Sequence, residues 1–146
     1  MGTAERRARE KDDLRRKIIH AATELFLLEG YESVSMRKIA DRIEYAPSTI
    51  YLYFKDKTEL LTSICRDTFQ ELDDRLDAIT ELSLPPLEHL RRGLRAYVDF
   101  GLAHPSHYVF VFCTPMSACS SVDEDATRQM HNAGMSSFGK LLDGLR

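Results

Sequence analysis

The sequence predicts an all-α fold, with a head of three helices, a long linking helix and a second helical part. Apolar residues recur at three- and four-residue spacing along most of the chain, which is typical of amphipathic helices. Two short helical patterns separated by a tight break lie between residues 35 and 57. The β-branched and aromatic run at residues 108–113 favours a strand by composition. A lone strand would have no pairing partner, so we expect a short buried helix there.

Composition limits the class of protein. The 146 residues are 43% hydrophobic and 29% charged, enough for one core or for one small domain packed against a second. No apolar run approaches the roughly 20 residues of a membrane span, and the N-terminus lacks the apolar core of a secretion signal. The three cysteines are odd in number and form no CxxC pair, which indicates free thiols in a reducing compartment. We therefore expect a soluble, cytoplasmic protein.

Charge is distributed unevenly along the chain. The net charge is −3, but residues 1–57 carry a small basic excess and residues 58–146 an acidic one. Residues 1–12 are charged without apolar periodicity, and we interpret them as a flexible basic arm. Such an arm follows phosphates or a minor groove in some DNA-binding proteins, and is merely solvated in others. Its cations are Arg6, Arg7, Arg9 and Lys11.

The next segment predicts one amphipathic helix and the start of another. Apolar residues from Leu14 to Phe26 fall at helical spacing. Gly30 ends this helix, because glycine accepts the left-handed conformation that follows a helix C-terminus. Ser35 is the expected N-cap of the following helix.

Residues 35–57 predict a helix-turn-helix. Ile39, Ala40 and Ile43 mark one short helix, and a second opens with Pro47-Ser48-Thr49 after a break at residues 44–46. Two brief helices joined by a tight turn place the second in a DNA major groove. The small residues at its start could approach base edges, while nearby tyrosines and basic residues could reach phosphates.

Together with the preceding AATELFLLEGYESVS, this stretch resembles the DNA-binding domain of the TetR family of bacterial transcriptional regulators. The resemblance covers roughly residues 16–61 and rests on an ordered series of matches. These are Ala21-Ala22, Leu25-Phe26, Gly30-Tyr31, Ser35, Ile39-Ala40, Thr49-Ile50-Tyr51, Tyr53-Phe54, Lys57 and Leu60-Leu61.

The resemblance implies specific residue roles. Arg37, Pro47, Ser48 and Thr49 would face bases, and Tyr51, Tyr53 and Lys57 would hold phosphates, with Ser35 also at the DNA surface. Structural roles would fall to Ile39, Ala40, Ile50 and Phe54. The family usually has glycine at the position of Glu44 and a capping hydroxyl at that of Ala46. A non-glycine residue with positive φ costs about 1–2 kcal/mol, and a missing N-cap about 1 kcal/mol.

Four further segments complete the predicted helical architecture. Asp56 is a capping residue for a long helix that runs to about Ile79, followed by a loop over residues 80–86. The next helix carries an apolar stripe, and we expect this stripe to be its packing face; it comprises Leu87, Leu90, Leu94, Val98 and Leu102. His104-Pro105 ends that helix. A capping box at Ser121–Glu124 predicts a last helix from Val122 to Leu145.

Aromatic residues in the C-terminal part suggest a cavity for a small apolar or aromatic ligand. An ordinary aromatic core is the alternative, and the family resemblance favours the cavity, since TetR-like proteins sense small molecules there. The candidate ligand-binding residues are Phe69, Tyr97, Phe100, His104, Tyr108, Phe112 and Met116. A metal site at His104, His107, Cys113 and Cys119 matches no strong ligand spacing, so we expect no metal or other cofactor.

The sequence thus predicts a ligand-responsive transcriptional regulator, most simply a repressor. The predicted units are a DNA-binding domain over residues 13–57 and a ligand-binding and dimerisation domain over residues 58–146. Its expected partners are a near-palindromic double-stranded DNA operator, a small-molecule effector and a second copy of the chain, without a membrane. The chain ends early for the family, which suggests truncation or a reduced dimer interface. The alternative is a ligand-binding or dimerisation protein without operator binding. No catalytic motif is present, so we expect no enzyme activity.

Overall fold

Seven α-helices form the described part of the chain. The computed structural model describes residues 2–119 and 121–145, apart from the side chains of Met116 and Ser117. No strand occurs among these residues, which confirms the predicted all-α class. None of their helices is long and apolar enough to cross a bilayer. The helices are α1 (Thr3–Glu29), α2 (Met36–Arg42), α3 (Pro47–Tyr51), α4 (Lys57–Thr80), α5 (Pro86–Ala103), α6 (Pro105–Tyr108) and α7 (Glu124–Asp143).

Helix α1 begins earlier than the sequence pattern indicated. The flexible arm predicted over residues 1–12 is wrong for residues 3–12, which are helical and exposed. Apolar periodicity cannot detect such a segment because every side of it faces solvent. Its alanines and long charged residues are good helix formers, and ion pairs one turn apart, such as Arg6–Glu10 at 3.5 Å, support the helix.

The head forms because three helices bury one small apolar core. Ile18 of α1, Ile39 of α2 and Ile50 of α3 each have no exposed surface. Gly30 ends α1 at a φ of 85° and donates its N–H to the Phe26 carbonyl, as the sequence predicted. Ser35 caps α2, where its side chain accepts from the Lys38 N–H at 3.1 Å. These local signals fix the chain reversal between α1 and α2.

Helix α4 joins the head to the rest of the chain. Asp56 caps it by accepting from the Glu59 N–H at 2.8 Å. With 24 residues, α4 is about 36 Å long. Leu60 and Ile64 lie in the head's core, whereas Leu72 and Leu76 pack with Phe100 in a second core. One rigid element therefore touches both parts, although the predicted division after residue 57 remains a prediction.

Helix α5 packs through a different face from the one predicted. Leu87, Val98 and Leu102 of the predicted packing stripe are 79%, 56% and 76% exposed. Gly93 and Phe100 are buried instead. A Cβ at Gly93 would lie 2.5 Å from the Leu141 side chain, so glycine permits the close approach of α7. Both faces of α5 carry apolar residues, and periodicity alone cannot tell which face a neighbour covers.

Helical structure continues through the ambiguous aromatic run. A π-helical turn, Val109–Cys113, follows α6, which confirms the helix and excludes the strand. Only Phe110 within this turn is buried, so the helix is less enclosed than expected. Helix α7 begins at Glu124 with Asp123 as its cap, rather than at Val122 with a cap at Ser121. The Asp123 carboxylate accepts from the Ala126 N–H at 2.7 Å, while the Ser121 N–H donates to Glu32.

Candidate nucleic-acid interface and apolar cavity

Helix α3 presents one polar face to solvent. Ile50 is fully buried and fixes the orientation of the helix against the head. Ser48 lies two residues earlier, on the opposite side of the helix, and is exposed. Tyr51 is 53% exposed, whereas Pro47 and Thr49 are half-buried. Of the residues expected to face bases from α3, Ser48 is therefore the most accessible.

The turn between α2 and α3 has the geometry that is expected from its departures from the family pattern. Glu44 has a φ of 61°, the left-handed conformation for which the family usually supplies glycine. Ala46 caps α3 without a side-chain hydrogen bond. Pro47 occupies the first turn of α3, where a proline leaves no unpaired N–H. The turn therefore forms despite the positive φ of Glu44 and the missing side-chain cap at Ala46.

The positive charges near α3 differ in availability. Arg37 is exposed and carries no ion pair among the described residues. The Lys38 ammonium instead lies 2.6 Å from Glu29, and Arg42 lies 3.3 Å from Glu24. Exposed ion pairs of this kind contribute little to stability and can exchange partners. Arg37 is thus more available than Lys38 or Arg42 to meet a base edge or a phosphate.

Two of the residues that are expected to contact phosphates already make contacts within the protein. Lys57 donates to the Tyr31 carbonyl at 2.7 Å, and its ammonium lies 4.3 Å from the centre of the Tyr31 ring. Tyr53 is half-buried and packs against the head's core. These two side chains hold the head together as well as lying at its surface, whereas Tyr51 is free to reach outward.

A second feature is an apolar cavity between α4, α5 and α7. Its volume is about 360 Å³. Three of the seven predicted ligand-binding residues line it: Phe69, Tyr97 and Phe112. Phe69 and Tyr97 each meet Phe112 edge to face, with ring centres 5.3 and 5.5 Å apart. The remaining lining residues are Leu72, Leu76, Gly93, Leu94, Gly134, Ser137, Phe138 and Leu141.

The other four candidate ligand residues do not line this cavity. Phe100 is fully buried in the core, and His104 places its Nε2 2.6 Å from a Glu71 carboxylate oxygen. Both line a separate polar cleft of about 540 Å³ between α1, α4 and the end of α5. Tyr108 accepts a hydrogen bond from the Tyr97 hydroxyl at 3.1 Å, and its ring packs against those of Tyr97 and Phe112. Met116 falls outside the described side chains.

The polar cleft contains a histidine whose protonation is disfavoured. Burial lowers the pKa of His107 from its ordinary value, and the nearby His104 and His20 lower it further, against a smaller opposing effect of Glu71 and Asp67. The His107 ring nitrogen lies 3.4 Å from the Thr68 hydroxyl. The neutral form of His107 is therefore favoured where α1 meets α4 and α6.

The cysteines and histidines do not form a metal site in the described residues, where no suitable group of three ligands occurs. Burial, the largest cause, raises the pKa of Cys65 to about 12. Burial also raises the pKa of Cys119. Cys113 alone of the three is exposed. Thiols with raised pKa values are poor nucleophiles and poor metal ligands.

Sequence reasoning missed several residues of these two surfaces. Tyr45 and Leu52 are 41% and 83% exposed on the helix-turn-helix, where neither was assigned a role. Leu52 could have been found, because it lies one helical turn after Ser48. In the cavity, Phe138 was missed because its contact with the α4 and α5 lining depends on how α7 packs.

Comparison with known proteins identifies the head. Residues 18–64 match the family described as bacterial regulatory proteins, tetR family. These residues form a TetR-family domain. The TetR-family domain includes the C-terminal part of α1, all of α2 and α3, and the first turns of α4. The description of the family is that of regulatory proteins.

Curated relatives carry the same type of domain. An uncharacterised helix-turn-helix regulator of Bacillus subtilis, YhgD, is 34% identical over 92 residues, which cover 63% of this chain and 48% of the relative. The transcriptional repressor KstR of Mycobacterium tuberculosis is 31% identical over 117 residues, covering 75% of this chain and 52% of the relative. The chain thus spans about half the length of the curated relatives it matches.

Solved structures share the fold beyond the TetR-family domain. A TetR-family regulator from Bordetella parapertussis superposes with a TM-score of 0.77 at 20% identity, covering 90% of this chain and 67% of that one. The regulator PfmR from Thermus thermophilus gives 0.75 at 22% identity, covering 88% and 68%. At such identities the likeness concerns the fold alone.

Proposed function

We propose that this chain is a transcriptional repressor that binds a near-palindromic operator as a dimer and releases it when a small apolar or aromatic molecule binds. The observation that carries the proposal is the exposed face of α3. Ile50 anchors the helix to the head, and Ser48 and Tyr51 are presented outward where a major groove would lie. Arg37 extends the same surface with an uncompensated positive charge.

The roles within the interface follow from accessibility. Arg37 and Ser48 are the first candidates for base edges, with Pro47 and Thr49 close by. Tyr51 is suited to a phosphate, because its hydroxyl can donate while its ring remains partly supported. The DNA phosphate backbone would be contacted by Ser35, Tyr53 and Lys57. Contacts within the protein already hold these three side chains in position. Such pre-positioned groups lose little side-chain entropy on binding.

Repression is supported by the KstR relatives, whose names describe transcriptional repressors. A dimer is supported by the single helix-turn-helix in the described residues. Two heads related by a two-fold axis would read two half-sites about one helical turn apart, which explains why we expect a near-palindrome. Neither a membrane nor a cofactor is required by this proposal.

A ligand in the apolar cavity could act on the head through α4. Phe69, Leu72 and Leu76 of α4 line the cavity, while Leu60 and Ile64 of the same helix lie in the head's core. A ligand that favours one position of α4 would shift the population of head orientations. Because DNA and ligand would favour different positions, each would weaken the binding of the other.

Operator selection tests the DNA part of the proposal. The chain is incubated with random duplexes, bound molecules are separated by gel shift, and the recovered sequences are compared over several rounds. We expect a two-fold symmetric consensus. Recovery of no preferred sequence would overturn operator binding and favour a ligand-binding or dimerisation protein.

A thermal-shift screen with small apolar and aromatic compounds tests the ligand part. A compound present at 100 times its Kd should stabilise the folded protein by about 2.7 kcal/mol. Gly134→Leu should abolish the shift, since a Cβ at this position would lie 3.2 Å from the tip of the Phe69 ring and the added side chain would occupy the cavity. Gly139→Leu is the control on the same helix, because no atom lies within 4 Å of its added Cβ. Equal shifts in both variants would exclude this cavity as the ligand site.

A further inference from the structure

We infer that Leu52 reads the C5-methyl group of a thymine in each half-site, and so sets a sequence preference of the bound DNA. The inference rests on the proposed operator binding and adds a chemical feature of the DNA partner. It follows from the position and exposure of one side chain on the recognition surface.

The helical geometry places Leu52 on the face that points away from the protein. At 3.6 residues per turn, residues 48 and 52 lie about 40° apart, and residue 50 lies on the far side of the helix from both. Ile50 is fully buried, so the side that carries Ser48 and Leu52 faces outward. Leu52 itself has helical dihedral angles, φ −70° and ψ −23°, so it continues the turn of α3.

Leu52 is a highly exposed apolar residue. At 83% it is the most exposed of the large hydrophobic side chains in the described residues. Single exposed apolar residues are common on protein surfaces and need no explanation by themselves. Leu52, however, shares its face with Ser48 and follows Tyr51, which is 53% exposed. An apolar side chain therefore stands within the surface that would enter the groove.

Thymine supplies the matching apolar partner. In the major groove of B-DNA the C5-methyl of thymine is the apolar group of the base edges, whereas the other exposed groups donate or accept hydrogen bonds. A leucine can make no hydrogen bond, so it gains from a methyl and loses when it covers an unpaired polar edge. Contact with a thymine methyl removes both apolar surfaces from water.

Deoxyuridine substitution isolates this contact, because deoxyuridine differs from thymidine only by the missing C5-methyl. Each thymine of the selected operator is replaced symmetrically in both half-sites, and binding is measured by fluorescence anisotropy. Burial of one methyl group corresponds to about fourfold in affinity, so loss of both symmetry-related methyls from the dimer's site corresponds to about 15-fold. At one symmetric position the wild type should lose this factor, and Leu52→Ala should show no such loss. Leu28→Ala serves as the matched control, since Leu28 is also highly exposed at 73% but lies on α1 outside the helix-turn-helix.

The outcomes separate the inference from the function on which it rests. The contact between Leu52 and the thymine methyl is supported if deoxyuridine weakens binding by the wild type and Leu28→Ala but not by Leu52→Ala. The melting temperatures of the three proteins should be equal. If the wild type tolerates deoxyuridine at every position, or if Leu52→Ala loses the same factor, the selected site stands and the assignment to Leu52 is overturned. If no operator is selected at all, the proposed function fails and takes the inference with it.

Discussion

Replacement of Glu44 by glycine should stabilise the protein. Glu44 has a φ of 61°, where a side chain with a Cβ is strained by about 1–2 kcal/mol. Glycine removes the strain but loses more backbone entropy on folding, by about 0.5–1 kcal/mol. The net expected gain is about 1 kcal/mol, which corresponds to a rise in Tm of about 3 °C for a chain of this size.

Two further variants identify the cause of such a gain. Glu44→Ala keeps the Cβ and removes the charge, so its Tm should stay near that of the wild type. Ser83→Gly should rise like Glu44→Gly, because Ser83 is the other non-glycine residue with positive φ in the described chain, at 50°. The melts are followed by circular dichroism at 222 nm, the usual helix signal. Equal Tm values for Glu44→Gly and Glu44→Ala would refute the steric reasoning and the assigned turn geometry.

Three other changes test the packing and chemistry of the C-terminal part. Phe100→Ala should lower the free energy of unfolding by about 3–5 kcal/mol, because this ring is fully buried. Leu102→Ala should change it by less than about 0.5 kcal/mol, because this side chain is 76% exposed. Similar changes for the two variants in urea melts would mean that α5 packs through the other face. The pKa of His107 is lowered in the folded state, so its contribution to stability is present above the unfolded value of 6.5 and is lost as pH falls through the folded value. His107→Gln should therefore reduce the loss of stability on acidification, and an unchanged pH profile would argue against a lowered pKa of His107 in the folded state. Under native conditions the exposed thiol of Cys113 should react with iodoacetamide well before that of Cys65, because burial raises the pKa of Cys65 to about 12. Mass spectrometry of tryptic peptides gives the order of alkylation, and earlier reaction of Cys65 would contradict its burial.

Local signals made the head predictable from the sequence. Gly30, Ser35 and Asp56 each act on the backbone within a few residues, and all three end or cap a helix as expected. The strained conformation of Glu44 was also indicated, because the matching family position is glycine. Such signals depend on nearest neighbours in the chain and need no knowledge of packing.

Packing between helices was harder to predict. Helix α5 has apolar residues on two faces, and the close approach of Leu141 to Gly93 decides which face is buried. For the same reason Phe100, expected beside a ligand, is a core residue, while Phe112 reaches the cavity. Lys57 shows a similar limit: the family resemblance implies a phosphate contact, whereas its bond to the Tyr31 carbonyl is a tertiary interaction that the resemblance does not reveal.

The central claim is that α3 reads DNA bases, and a comparison of two duplexes tests it most directly. Anisotropy titrations at one fixed salt concentration compare the selected operator with a scrambled duplex of equal length and composition. The wild type should bind the operator at least about 10³-fold more tightly. Ser48→Tyr should lose most of this ratio by blocking the groove-facing side of α3, while Ser136→Tyr, at an exposed site on α7, should retain it. Equal affinity of the wild type for both duplexes, or an undiminished ratio in Ser48→Tyr, would contradict base reading by α3.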